Sequence, residues 1–207
     1  MNVLIVAATK FEIEPFLKEN NQAEILITGI GIPSTIFRLT KKLLEKNYDL
    51  VINAGIAGSF EKRFSLSEVV LVKEDTFGDI GIDEDENFRT LFETGLANEN
   101  DFPNSHSWLI NQNAGLEKWQ LPFAKGITIN KITDDILQIQ KLQQKFSADI
   151  ESMEGAAFHY VCLQQKINFL QVRSISNTVG ERDKTKWQMK PAIANLNKEL
   201  LKMISKL

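Results

Sequence analysis

Short apolar runs without polar alternation, several ending in small residues, constrain this chain most. The first is Asn2-Val-Leu-Ile-Val-Ala-Ala8. Such a run reads as a strand buried on both faces, the habit of parallel strands covered by helices. Ala23–Ile27, Tyr48–Asn53, Ser67–Lys73, Gly126–Ile132 and Asn168–Ile175 read as further strands. Helical patterns lie between them. Thr9 can cap a helix from Lys10, with Glu12 in its first turn. Ser34 to about Lys46 sets Ile36, Leu39, Leu43 and Leu44 on one face. Asp134–Phe146 reads as a helix, Ile150–Gln165 as a buried helix entered through Glu151-Ser-Met-Glu154, and a last helix runs from about Lys186. The strand at Tyr48–Asn53 is expected to break at Ala54-Gly-Ile-Ala-Gly58, and Thr76–Phe123, rich in Asp, Glu, Asn and Gly, to form loops with short elements. This alternation predicts an α/β protein with a parallel or mixed central sheet flanked by helices. No repeat, low-complexity tract or linker interrupts the 207 residues, so 1–207 is expected to be one domain.

Composition removes several functions. The formal net charge of -3 and the lack of a basic cluster argue against nucleic-acid binding. The apolar start is too short to span a membrane and lacks the basic beginning of a signal peptide. One cysteine, Cys162, in an apolar run of helical spacing, reads as core and permits no internal disulfide. A cytoplasmic location follows as the expectation. Two histidines, His106 and His159, with that one cysteine make a metal site improbable, and no G-x-S-x-G elbow supplies a serine nucleophile. No cofactor is expected. Gly29-Ile-Gly31 lacks the third glycine of a dinucleotide fingerprint, because position 34 is Ser, and it follows the second strand rather than the first.

In α/β folds ligands gather beyond the C-terminal ends of strands. Glu12, Gly29–Gly31, Ala54–Gly58, Ser152–Glu154 and Asn177 all fall there. Taken singly, each has a plain structural alternative. Glu12 suits a helix N-terminus on dipole grounds. Glu154, among small and apolar residues, needs a partner; it is either a structural anchor or a carboxylate that grips two sugar hydroxyls. Ala54–Gly58 is a tight turn or a set of approachable amides. Thr178-Val-Gly-Glu-Arg-Asp183, ahead of Trp187, is a solvated loop or a substrate lid.

Together, Glu12, Gly29-Ile-Gly-Ile-Pro-Ser34, Asn53-Ala-Gly-Ile-Ala-Gly58, Glu151-Ser-Met-Glu154 and Arg173-Ser-Ile-Ser-Asn177 resemble the nucleoside phosphorylase and nucleosidase superfamily over nearly the whole chain. The resemblance implies a three-layer α/β/α fold with a twisted mixed sheet, and a homo-oligomer, with a dimer favoured. Phe60 and Phe64 face either the core or a partner subunit. Within the superfamily, Thr76-Phe-Gly-Asp-Ile-Gly81, Glu151-Ser-Met-Glu-Gly-Ala-Ala157 and Ser174-Ile-Ser-Asn-Thr-Val-Gly-Glu-Arg-Asp183 are most similar to the futalosine hydrolases of menaquinone biosynthesis. The implied reaction is futalosine plus water giving hypoxanthine and dehypoxanthine futalosine.

The resemblance also implies roles. The superfamily's phosphorylases bind phosphate with arginines in the loop after the first strand and before the Gly-Ser-type turn. Here Ala7-Ala-Thr-Lys-Phe-Glu12 and Val51-Ile-Asn-Ala-Gly55 contain none, and Lys10 is the one cation in them. Glu12 matches the position that orients and deprotonates water, so hydrolysis is expected rather than phosphorolysis. Adenine nucleosidases carry an aspartate where this chain has Asn177. An asparagine amide can donate to N7 or O6 of a 6-oxopurine, so Asn177 implies hypoxanthine and speaks against methylthioadenosine, S-adenosylhomocysteine or aminofutalosine as substrate. Asp183 is a second candidate acid. Glu154 is expected on the ribose hydroxyls with Ser152 beside it, Met153 against the sugar, and Ala57 and Gly58 under the base. The strand end at Ile129–Thr133 is expected to wall the base, and Arg182 to meet the substrate carboxylate. A non-catalytic nucleoside-binding protein is the rival of another class; it has no need of Glu12.

Overall fold

The structure, a computed structural model, describes residues 1–19, 22–60, 63–84 and 87–207. Its strands are β1 Val3–Ala7, β2 Glu24–Ile27, β3 Leu50–Ser59, β4 Val69–Phe77, β5 Gly81–Glu84, β6 Asn87–Thr90, β7 Leu109–Ile110, β8 Phe123–Thr128, β9 Ile150–Ser152 and β10 Phe169–Thr178. Its α-helices are α1 Lys10–Glu19, α2 Ile32–Glu45, α3 Ile136–Phe146, α4 Gly155–Gln164 and α5 Met189–Ile204. None of them is long and apolar enough to cross a membrane.

The layers follow from the two-residue period of a strand. On β1, Val3, Ile5 and Ala7 join Ile13 and Phe16 of α1 and Leu196, Leu200 and Met203 of α5. Leu4 and Val6 point the other way, to Leu39 and Leu43 of α2 and Phe158, Val161 and Cys162 of α4. The apolar run at residues 2–8 is thus a strand covered on both faces, and Cys162 is core.

The main sheet is mixed, as expected. β1 pairs in parallel with β2 and β3, β3 with β10, and β8 with β4 and β9; β10–β4, β3–β9 and β4–β7 are antiparallel. Because β10 pairs with both β3 and β4, the path β10–β4–β8–β9–β3 closes into a ring, with β1 and β2 continuing outward from β3. β5 and β6 form a separate two-stranded sheet.

Two element expectations are corrected. β3 does not break at Ala54–Gly58 but runs to Ser59. It stays paired with β10 throughout and exchanges β1 for β9 on its other edge, so its backbone partners continue past the glycines. The segment from Ile150 is not all helix: Ile150–Ser152 is a short strand inserted between β3 and β8, and α4 begins only at Gly155. Phe60 and Phe64 both lie in the chain's own core clusters, the first of the two roles expected of them.

The start of α4 is fixed by a buried polar cluster. Asp75 accepts from Thr128 Oγ1 and Gln171 Nε2, each at 3.0 Å, and Thr128 Oγ1 accepts from the Ala156 amide at 2.7 Å. A Cβ at Gly155 would stand 2.1 Å from Asp75 Oδ2 and 2.3 Å from Gln171 Nε2, so only glycine lets the helix start here. His159 belongs to the same helix. Its Nδ1 lies 2.9 Å from the Leu109 carbonyl, and burial pushes its pKa down to about 4, which keeps it neutral and structural.

Candidate active site

The ends of β1, β3 and β10, with β9 alongside, converge on a cavity of about 290 Å³. Glu12, Ala57, Gly58, Ser152, Met153, Glu154, Asn177 and Arg182 all line it. Eight of the nine positions expected from sequence are therefore brought together from four separate parts of the chain.

Glu12 serves two purposes at once. Its Oε2 accepts from the Thr9 amide at 3.0 Å and the Thr9 hydroxyl at 2.9 Å, while the Glu12 amide lies 3.4 Å from Thr9 Oγ1. This is the reciprocal capping expected at a Thr-x-x-Glu helix start. Its Oε1 reaches β3 and accepts from the Ile56 amide at 3.2 Å. The side chain is thereby clamped at both oxygens. Gly55 permits the approach: a Cβ there would lie 2.9 Å from Glu12 Oε1 and 3.4 Å from Arg173 Nη1.

Arg173, which the sequence places in the last strand and in a motif of the family resemblance but gives no role, is a buried cation behind the cavity. It is fully buried on β10 and donates to the Val172 carbonyl and to Asn53 Oδ1; Asn53 donates in turn to the Val6 carbonyl. Burial pushes the guanidinium pKa down, opposed by the charges of Glu154, Glu12 and Asp75. Its one signal in the sequence is a charged residue inside an otherwise apolar strand, which burial rules make costly without partners.

Glu154 precedes α4, and its Oε1 accepts from the Gly31 amide at 2.8 Å. Gly31 has φ 91°, a left-handed conformation that favours glycine. The Gly29-Ile-Gly31 turn thus aims an amide at the Glu154 carboxylate. Burial raises the Glu154 pKa, and the Gly31 amide and Arg173 oppose the rise. Ser152 Oγ accepts from the Gly155 amide at 3.2 Å, so this hydroxyl supports the turn that presents Met153 and Glu154.

Asn177 owes its aim to a bulge. Ile175 pairs with Ala57 and Asn177 with Gly58, leaving Ser176 as the extra residue. The Ser176 hydroxyl lies 2.7 Å from Asn177 Oδ1, and Asn177 Nδ2 donates to the Thr178 carbonyl at 2.9 Å. These partners assign the amide: oxygen towards Ser176, donor towards Thr178.

After β10, Val179, Gly180, Glu181, Arg182, Trp187 and Met189 line the same cavity. Trp187 Nε1 donates to the Glu181 carbonyl at 2.8 Å, and Lys186 pairs with Glu181 at 2.9 Å. Asp183 is the exception among the expected residues. Its carboxylate faces solvent and accepts from the Thr185 hydroxyl and amide, which hold its pKa below the usual carboxylate value. It caps the turn at Lys184–Lys186, the opposite of what a proton donor requires, and the expectation of a second acid is withdrawn. Of the strand end at Ile129–Thr133, Ile132 lines the cavity, whereas Ile129 is core. Phe11, Ile30, Trp187 and Glu151 line it without having been assigned a role from sequence.

A family model described as the phosphorylase superfamily matches residues 6–206. Futalosine hydrolase of Thermus thermophilus is 28% identical over 183 residues, covering 87% of this chain and 80% of that protein. The 5'-methylthioadenosine/S-adenosylhomocysteine nucleosidase of Buchnera aphidicola is 25% identical over 213 residues, covering 99% and 84%. Among solved structures, that of futalosine hydrolase from Helicobacter pylori superposes with a TM-score of 0.83 at 16% identity, covering 100% of this chain and 98% of that one.

Proposed function

The chain belongs to the phosphorylase superfamily, and from that premise we propose that it hydrolyses the N-glycosidic bond of futalosine, releasing hypoxanthine and dehypoxanthine futalosine in menaquinone biosynthesis. The observation that carries the proposal is the pair of carboxylates, Glu12 and Glu154, held by separate backbone amides on one cavity whose β10 edge bears Asn177.

The reaction breaks the bond from C1′ to N9 through a transition state with positive charge on the sugar and negative charge on the base. Glu12 holds a water against C1′ on the face opposite the base and takes its proton as the C–O bond forms. The electron pair of the broken bond leaves with the purine. Asn177 exchanges the Thr178 carbonyl for N7 or O6 of the base and stabilises the charge that gathers there. Glu154 accepts from the ribose hydroxyls and sets a negative charge near the developing cation. Met153 packs against the sugar, Ala57 and Gly58 lie beneath the base, and Arg182 meets the substrate carboxylate. Among the described residues that line the cavity Arg182 is the one arginine or lysine, and the loop after β1 brings Glu12 to it instead of a cation. A carboxylate there repels phosphate and suits water, which supports hydrolysis over phosphorolysis.

The similarity to 5'-methylthioadenosine/S-adenosylhomocysteine nucleosidases keeps adenine nucleosides as the second reading. Chromatography of purified protein incubated with futalosine, aminofutalosine, methylthioadenosine and inosine, with and without phosphate, tests both. Hypoxanthine from futalosine at a rate independent of phosphate is the expected result. Adenine release assigns the chain to the second reading, and a strict need for phosphate overturns hydrolysis.

A further inference from the structure

Glu151 has no part in the reaction as described, yet it lines the cavity. It is 7% exposed, and its Oε2 is buried without a hydrogen-bond partner. Burial, and after it the nearby charge of Asp79, push its pKa up to about 7. An unpaired buried carboxylate oxygen is costly, and a protein that keeps one in a cavity wall has a use for its acceptor capacity.

Strand register shows what it faces. Glu151 on β9 stands opposite Gly58 on β3, and Gly58 stands in register with Asn177 on β10. Residues opposite one another on adjacent strands project to the same face. Asn177, Gly58 and Glu151 therefore form one row across three strands, with polar side chains at its ends and bare backbone in the middle. A Cβ at Gly58 would lie 3.4 Å from Asn177 Nδ2 and 3.0 Å from Val179 Cγ2, so the missing side chain lets Asn177 and Val179 pack against this backbone without a clash. With adjacent strands about 4.8 Å apart, the outer two are roughly 10 Å apart, a span suited to a flat bicyclic base held between the side chains of Asn177 and Glu151.

We propose that Glu151 is a second base-reading residue: while Asn177 holds the N7 and O6 side of a 6-oxopurine, Glu151 accepts the N1–H at the far edge. The inference rests on the reading of Asn177 given above. It deepens that reading, because N1 is where 6-oxopurines and adenine have opposite polarity. Hypoxanthine has a hydrogen there, which a carboxylate accepts. Adenine has a lone pair, which a carboxylate repels. Asn177 alone, with one donor and one acceptor, selects less sharply than two groups that both fit only one base.

The test is equilibrium binding of free bases by titration calorimetry at pH 8, where the Glu151 carboxyl is mostly ionised and accepts without donating, with hypoxanthine, 1-methylhypoxanthine and adenine as probes. The wild-type protein is expected to bind hypoxanthine about 10-fold or more tightly than 1-methylhypoxanthine, which lacks the N1–H. Glu151→Ala brings the two to within about 2-fold, mainly by weakening hypoxanthine. Glu151→Gln, close to isosteric, shifts the preference towards adenine because its amide can donate to N1. A wild type that binds hypoxanthine and 1-methylhypoxanthine equally overturns the assignment without any variant. So does discrimination that survives in Glu151→Ala. Turnover of futalosine, measured on the same preparations, separates the two readings. Cleavage of futalosine with no N1 discrimination sinks Glu151 alone; N1 discrimination lost in Glu151→Ala without cleavage of futalosine upholds Glu151 and sinks the substrate.

Discussion

The two halves of the cavity are built differently. On the side of β1, β3 and α4, Glu12 and Glu154 are clamped by backbone amides, Arg173 is buried behind them, and all three sit on or beside regular elements. On the side after β10, Asn177 is half-buried, Arg182 is exposed, and the chain from Val179 to Gln188 is held by a Trp187 hydrogen bond, a surface ion pair and small caps. The first half is organised before substrate arrives. The second uses exchangeable contacts. Chemistry that develops charge at one carbon needs fixed groups, because reorganisation at the moment of reaction raises the barrier. In the proposed reaction a base and a bulky 5′ substituent enter and leave, and a loop suits the surface that would read them.

The contrast predicts that damage on the fixed side costs rate or folding, and that damage on the loop side alters substrate choice. Glu12→Gln should lower single-turnover hydrolysis by about 10³-fold while leaving base affinity nearly unchanged, since it removes the proton acceptor but keeps the side chain's shape. Turnover within a few-fold of wild type would end the water-activating role. Gly155→Ala forces a methyl onto Asp75 and Gln171 and should cost about 3 kcal/mol in urea unfolding; an unchanged midpoint would show that the helix start tolerates a shift.

Of similar size is a pH effect. The Glu151 carboxyl ionises near 4.5 when unfolded and near 7 when folded. Between those values the folded state retains a proton that the unfolded state has lost, so stability falls as pH rises through the window and levels above 7. The full difference is on the order of 3 kcal/mol. Glu151→Gln removes this slope and should gain on the wild type between pH 4 and pH 8. Asp75, raised to about 6 by burial, contributes a slope of the same sign that persists in the variant. Parallel curves for the two proteins would contradict the burial of an ionising group at 151.

On the loop side, Asn177→Asp should lower cleavage of 6-oxopurine nucleosides by about 100-fold and raise that of adenine nucleosides. The structure adds a reason: aspartate has no donor for the Thr178 carbonyl that Asn177 Nδ2 now contacts. Equal base preference in variant and wild type would remove Asn177 from recognition. The smallest effect is expected of Arg182→Ala, about a 10-fold rise in KM for futalosine with inosine unaffected, because an exposed ion pair contributes little. A matching rise for inosine would show a general role in the loop.

Legibility followed the same division. The fixed half was readable because it rests on local rules: Thr9-x-x-Glu12 is a capping pattern, and the residue 2–8 run fits only a covered strand. β9 was missed because three residues are too few to show a period, and Ile150–Ser152 merged into the apolar helix that follows. The continuation of β3 was missed because Ala54–Gly58 looks like a turn, and only its partners β9 and β10 keep it extended. Arg173 and Glu151 acquire meaning through register, which joins positions far apart in the chain. Asp183 shows the converse: Asp183-Lys-Thr185 carries a turn-capping signal, and nearness to Asn177 in sequence does not bring its carboxylate into the cavity.

The central claim is that a preorganised hydrolytic centre is fitted to a 6-oxopurine. Its most direct test is the ratio of kcat/KM for futalosine to that for aminofutalosine, two substrates that differ only in the 6-substituent of the base and the N1 hydrogen that goes with it. The account predicts a ratio of about 100 or more in favour of futalosine. A ratio near one, or a preference for aminofutalosine, would contradict it.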